Sequence, residues 1–437
     1  MIEALRNSLR LPDLRNKLLY TLLIIMVYQF AAHVPVPGVN RDALQALFGG
    51  EGAGFLQVLN LLSGGAVSNF SVIANGVYPY ITASIILTLL TPIIPQLEAI
   101  SREPGGQDKI NQYTYYLAIP MSALQAWGQI NIFTSLAGGQ QIVENFGQDP
   151  LITISTIITM TAGTMFAIWL GELITEQGIG QGLSIIIFSG IVARVPYNLG
   201  SLIINSANAL FNLVVFIALT VVTVVVIVLV QEGQRRIPVQ YGKRVRGRKV
   251  YGGGQTHIPL RVNTAGMIPL IFAQSIITFP AIVASLFPPG DFGTMIQDTF
   301  GNQSGAVYWI VYFLFVVGFT FFYTDVMVQN QGLGENLQRN GGFIPGIRPG
   351  KRTQEYITSV VRRITLVGAV FLGVVAVLPG LVQLIYGLLF PDTATSYSTN
   401  PALVISSAGL IIVVGVVIDT MRQLEAQLVM RNYEAFM

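Results

Sequence analysis

An all-α polytopic membrane protein is the fold class this sequence predicts, with ten transmembrane helices in two inverted five-helix halves. Three observations carry that expectation. Hydrophobic residues make up 52% of the chain and charged residues only 10%, whereas a soluble domain carries about 25% charge. Lipid in place of water over most of the surface accounts for the deficit. Apolar runs of the roughly 20 residues that one crossing needs recur from end to end, and no stretch has the composition of a separate soluble domain. Finally, the basic residues gather on one side once those runs are threaded through a bilayer.

The ten spans fall at 18–35, 72–94, 113–136, 151–172, 183–203, 209–231, 264–287, 306–328, 357–379 and 402–421. The first run is long, lacks a small-residue cleavage site and leads into further spans, so it reads as a retained helix and not a signal peptide. Spans 5 and 6 are separated only by Asn205 to Asn208. With both termini cytoplasmic, every one of the 24 Lys and Arg residues except Arg41 and Arg194 lies on the cytoplasmic side. Five spans per half is an odd number, so the second half enters from the opposite side. Structural repeats would then be inverted, with a pseudo-two-fold axis in the membrane plane. The halves are residues 1–203 and 204–437, the second with large cytoplasmic loops at 232–261 and 329–356.

Three connections stand out. FLQVLNLLSGG (Phe55 to Gly65) is apolar over about 12 Å as a helix, too short to span. Read alone, it is either a re-entrant helix tucked into the bundle or an interfacial helix lying on the membrane. QRRIPVQYGKRVRGRKVY (Gln234 to Tyr251) alternates Ile237, Val239 and Tyr241 with Pro238 and Gln240, the period of a strand. It predicts a hairpin-like projection whose tip carries Lys243, Arg244, Arg246, Arg248 and Lys249, with Arg235 and Arg236 at its base. These cations exceed what orientation requires, which favours a docking surface for an acidic partner or RNA phosphates over a pure topology signal. GGFIPGIRPGKRT (Gly341 to Thr353) joins Arg348, Lys351 and Arg352 to Phe343, Ile344 and Ile347. Pro345 and Pro349 prevent a helix, and the apolar residues argue against a plain linker.

The spans exclude several function classes. There are no cysteines, and His33 and His257 are the only histidines, so disulfides and Cys- or His-cluster metal sites are out and no cofactor is expected. Glu172, Asp325, Arg362, Arg363 and Asp419 lie near cytoplasmic span ends, so none reads as a proton relay or ion ligand at mid-bilayer. This weakens an ion-coupled transporter of small solutes, the main rival reading. An intramembrane protease would need a Ser–His pair or paired aspartates at depth, and no phosphate-binding Gly-Lys loop is present for ATP. The chain reads as a non-enzyme whose energy comes from partners. What the spans carry instead is branched aliphatic residues at helical spacing: Ile81 and Ile85 in span 2, Ile187 and Ile191 in span 5. Such stripes are usually ordinary packing. Span 7 carries Pro269, Gln274, Ser275 and Pro280 among apolar residues; its polar groups need partners, with Gln125 and Gln129 of span 3 as candidates, or a hydrated cavity.

Several stretches together resemble the SecY family, the central subunits of the bacterial protein-conducting channel. They are GELITEQGIGQGLSIIIFSGIVA (Gly171 to Ala193), GQRRIPVQY (Gly233 to Tyr241), GGFIPGIRPG (Gly341 to Gly350) and LEAQLVMRNYE (Leu424 to Glu434), with PYITASII and FFYT in support. The resemblance implies an hourglass channel closed by a ring of aliphatic side chains, here Ile81, Ile85, Ile187, Ile191, Ile271 and Ile412. It implies a plug at Phe55, Leu56, Val58, Leu59, Leu62, Ser63, Gly64 and Gly65, extending to Asn69, which favours the re-entrant reading of that segment. It also implies a lateral gate between spans 2–3 and 7–8, where Gln125, Gln129, Gln274 and Ser275 lie. The partners it implies are SecE and SecG in a heterotrimer, the SecA ATPase, the ribosome, accessory SecDF and YidC, preproteins with their signal sequences, and anionic lipids. The implied place is the bacterial cytoplasmic membrane.

Overall fold

The structure is a computed structural model of the 437-residue chain. It describes all residues except 1–10, 45–62, 64, 104, 138–139, 206–208, 242–243, 247–248, 252–253, 267, 286–294, 297–298, 301–305, 390–406 and 435–437.

A helix stands at each of the ten places where the sequence predicts a span. Helix α1 (Pro12–Ala31) opens on a proline, whose fixed φ and missing N–H suit a first turn. Helix α2 (Tyr78–Leu90) runs into the short α3 (Pro95–Arg102) through a 104° bend, where Pro92 and Pro95 interrupt the backbone ladder. Helix α4 (Gly106–Leu136) follows. Asp149 caps α5 (Pro150–Gln177) by accepting a 3.0 Å hydrogen bond from the Leu151 N–H. Helices α6 (Gly182–Asn205) and α7 (Ala209–Glu232) complete the run before the large basic loop. Beyond it come α8 (Ile268–Ser285), α9 (Ala306–Gln331), the short α10 (Leu333–Arg339), α11 (Lys351–Leu389) and α12 (Ser407–Glu434).

Among the described residues, the stretches Pro150–Gln177, Val307–Arg339 and Lys351–Leu378 are each long and apolar enough to cross a membrane, and the bent α2–α3 pair makes a fourth. Several boundaries differ from the sequence expectation, α4 starting at Gly106 and α12 running on to Glu434 among them. Span 2 is expected from residue 72, yet residues 72–77 are turns. Gly76 takes φ +54° there, and the Asn75 side chain donates to the Ser122 carbonyl at 3.2 Å instead of leaving the backbone to wind. Span 9, expected over 357–379, is the middle of a longer helix, α11.

Helix α2 packs on α4, α4 on α5, and α5 on α6 and α1; in the second part α8 packs on α9, α9 on α11 and α11 on α12. The two groups meet where α6 touches α7 and α12, and where α8 touches α4 and α2. With lipid outside, these contacts rest on close van der Waals fit more than on expulsion of water.

The basic loop folds as predicted and then further. Strand β1 (Gln234–Tyr241) pairs antiparallel with β4 (Gln255–Arg261), Ile237 opposite Ile258. Between them β2 (Arg244–Arg246) and β3 (Lys249–Tyr251) form the hairpin tip. The other basic loop adds an edge strand, β5 (Gly342–Phe343), with Gln240 opposite Phe343, giving the order β4-β1-β5.

Candidate functional site

The six aliphatic residues of the expected ring come from four helices: Ile81 and Ile85 from α2, Ile187 and Ile191 from α6, Ile271 from α8 and Ile412 from α12. Five of them meet in one apolar cluster: Ile187, Ile191 and Ile412 are buried in it, and Ile81 and Ile271 pack against it half-buried. Ile85, one turn beyond Ile81, is buried but lies outside that cluster. The cluster also takes in Ala66, Ile73 and Val77, from the segment that leads into α2.

Of the expected plug, Ser63 and Gly65 are described; Phe55, Leu56, Val58, Leu59, Leu62 and Gly64 lie outside the described residues. From Gly65 onward the chain is a tight turn, fastened in several places. The Val36 N–H donates to the Phe70 carbonyl at 2.9 Å and the Val72 N–H to the Val34 carbonyl at 3.0 Å. The Asn69 amide reaches the Ala32 carbonyl at 3.4 Å, and the Ser63 hydroxyl accepts from the Val67 N–H at 3.2 Å.

Two hydrogen bonds place the polar residues of the α2–α4 and α8–α9 pairs. The Gln125 amide donates to the Thr82 hydroxyl at 3.3 Å, within the α2–α4 pair. The Gln274 amide faces the Tyr308 hydroxyl at 3.5 Å, within the α8–α9 pair. Both bonds join helices that already pack together, and neither crosses the seam. Gln129 is half-buried on α4; of Ser275 only the backbone position on α8 is described.

The basic surface gathers around the sheet. Arg235, Arg236, Arg348, Lys351 and Arg352 are exposed; Arg244, Arg246 and Lys249 are described by backbone alone, on the hairpin strands, and Lys243 and Arg248 lie outside the described residues. Beneath the cations is an apolar floor of Ile237, Val239, Leu260, Val328, Leu337, Ile344, Ile357 and Val361. Ile344 is 4% exposed, so the 341–353 loop is nailed down by its apolar residues while Arg348 stays out. Gly346 and Gly350 take φ +83° and +103°, which fixes the loop's shape where no side chain is easily tolerated. The Thr353 hydroxyl closes it by donating to the Arg348 carbonyl at 3.0 Å. Sequence reasoning missed the β5 pairing, because two residues give no strand period to detect.

These features define a multi-pass helical membrane protein with the fold of protein-conducting channels. The structure matches "The structure of a protein conducting channel" with a TM-score of 0.62 at 17% identity, covering 94% of this chain and 91% of that one. Sec61 in the canine ribosome–channel complex matches with a TM-score of 0.60 at 17% identity and the same coverage. The SecY family model matches residues 71–421. The chain is 41% identical to the protein translocase subunit SecY of Streptomyces galbus and 40% identical to that of Bacillus subtilis, in each case across 100% of both chains. The chain belongs to the SecY family.

Proposed function

We propose that this chain is the passive channel subunit of a bacterial protein translocase, through which unfolded secretory polypeptides cross the membrane and hydrophobic segments leave sideways into lipid. The observation that carries this reading is the meeting of Ile81, Ile187, Ile191, Ile271 and Ile412 in one cluster, drawn from helices far apart in the chain. A narrow aliphatic constriction disfavours a continuous column of water, so ions meet a dewetting barrier. Neither a catalytic base nor a metal is needed, because the collar only has to part around an extended chain and close again. Such a channel performs no catalysis; the SecA ATPase or the translating ribosome supplies the work.

In this reading residues 1–203 and 204–437 are the two inverted halves, crossing the membrane ten times with both termini in the cytoplasm. The lateral gate is the seam between α2–α4 and α8–α9. Supporting it, the bonds of Gln125 to Thr82 and Gln274 to Tyr308 each stay on one side, so parting the seam spares both. A signal sequence entering it gains by leaving its apolar surface in lipid. Segment 55–69 is the plug; a similar solved SecY protein has a plug domain that stabilises its closed channel and maintains a membrane seal. The sheet and its cations receive SecA or the ribosome, and SecE and SecG complete the heterotrimer. SecDF, YidC and anionic lipids are accessory partners in the cytoplasmic membrane.

The test is reconstitution of the chain with SecE and SecG in vesicles, with SecA, ATP and a radiolabelled preprotein. We expect the preprotein to become protease-protected only when this chain is present. Equal protection in vesicles lacking it would overturn the proposal.

A further inference from the structure

Arg194 is one of two basic residues on the sparsely charged side, and the channel reading leaves it without a role. On α6 it follows Ile187 by seven residues and Ile191 by three, so it shares their helix face. The half-buried guanidinium is aimed at the turn that covers the collar. Its Nη2 donates to the Ser68 hydroxyl. That hydroxyl spends its own proton on the Gly65 carbonyl, at 2.9 Å, which leaves its lone pairs for the guanidinium. Gly65 sits at φ +92°, and the guanidinium fills the space that a Cβ there would need. The turn is therefore shaped around this side chain. The same turn places Ala66, which is 0% exposed, in the cluster that holds Ile187 and Ile191.

We infer that Arg194 is a latch: its charge-assisted bond to Ser68, seated on Gly65, holds the turn Gly65–Phe70 over the aliphatic collar and so resists opening. A charge-assisted bond is among the stronger ones available to a side chain. It can also be broken without breaking the fold, because the turn keeps its separate backbone ties to residues 34 and 36. Arg194 is a positioning residue; it acts through the turn and not on the translocating chain. The inference rests on the proposed channel function.

The chain has no cysteine, so a single introduced one reports cleanly. The test compares vesicles of the full complex carrying Arg194→Met, Arg194→Lys, Ser68→Ala, the Arg194→Met/Ser68→Ala double variant and Ile191→Asn. The readouts are iodide leak without substrate and the rate at which an impermeant maleimide labels Ala66→Cys. Arg194→Met and Ser68→Ala should each raise leak and labelling several-fold, with the double variant no worse than Arg194→Met. Arg194→Lys, which keeps the charge and loses the fork, should fall between it and the parent, and it serves if Arg194→Met fails to assemble. If Ile191→Asn leaks while the Arg194 and Ser68 variants match the parent, the latch is wrong and the collar stands. If Ile191→Asn also seals normally, the channel reading itself fails.

Discussion

Individual side chains in this protein are chosen for fit more than for reactivity. Gly163 of α5 lies against the Val72 carbonyl, so a Cβ at that position would run into backbone that cannot swing away. Gly163→Ala should lower stability by about 1–3 kcal/mol, the usual cost of overpacking a close contact. A drop in the detergent melting temperature with unchanged helix content would register it; an unchanged melting temperature would show that the 72–77 turn yields. The residue scale is also where the sequence was least legible. The spacing of Ile187, Ile191 and Arg194 places all three on one face, but nothing in it says that Arg194 meets Ser68, 126 residues earlier. Likewise the span 7 glutamine was visibly in need of a partner, while the choice of Tyr308 over Gln125 depends on how α8 and α9 pack.

At the scale of elements, hydropathy located ten helices because an apolar run in lipid has few alternatives to winding up. It failed where local chemistry overrides composition, as at residues 72–77, and where pairing is distant, as between β1 and β5. The alternation of Ile237 and Val239 did predict strand β1, and both side chains are buried in it. Under the proposed docking role, the sheet's exposed cations and its apolar floor serve different ends that substitutions can pull apart. Arg348→Glu, on the exposed arc of the loop, should impair SecA-driven export far more than it impairs folding or insertion; normal export rates with this variant would count against docking there. Ile344→Asp buries an unpaired carboxylate in the sheet's floor and should instead lower the protein's abundance and stability, by several kcal/mol if the charge stays buried. Export per folded molecule would then change little.

For the whole molecule, the parity of the spans pointed to two inverted halves, and the family resemblance added a constriction between them. The collar residues could be identified in sequence only through that resemblance, since aliphatic pairs one turn apart occur in any packed helix. What the spacing could not supply is the convergence of α2, α6, α8 and α12 on one cluster. The proposed function rests on that convergence, read as an aliphatic constriction that a polypeptide would part and ions would not wet. The most direct test is to stall a preprotein halfway and ask what it touches, with photo-reactive residues at positions 81, 191, 271 and 412 and, as controls on exposed helix faces, at Ile217 and Val221, which are 50% and 55% exposed. The account predicts cross-links to the stalled chain from all four collar positions and none from the controls. Cross-links from the controls with the four collar positions silent would contradict it.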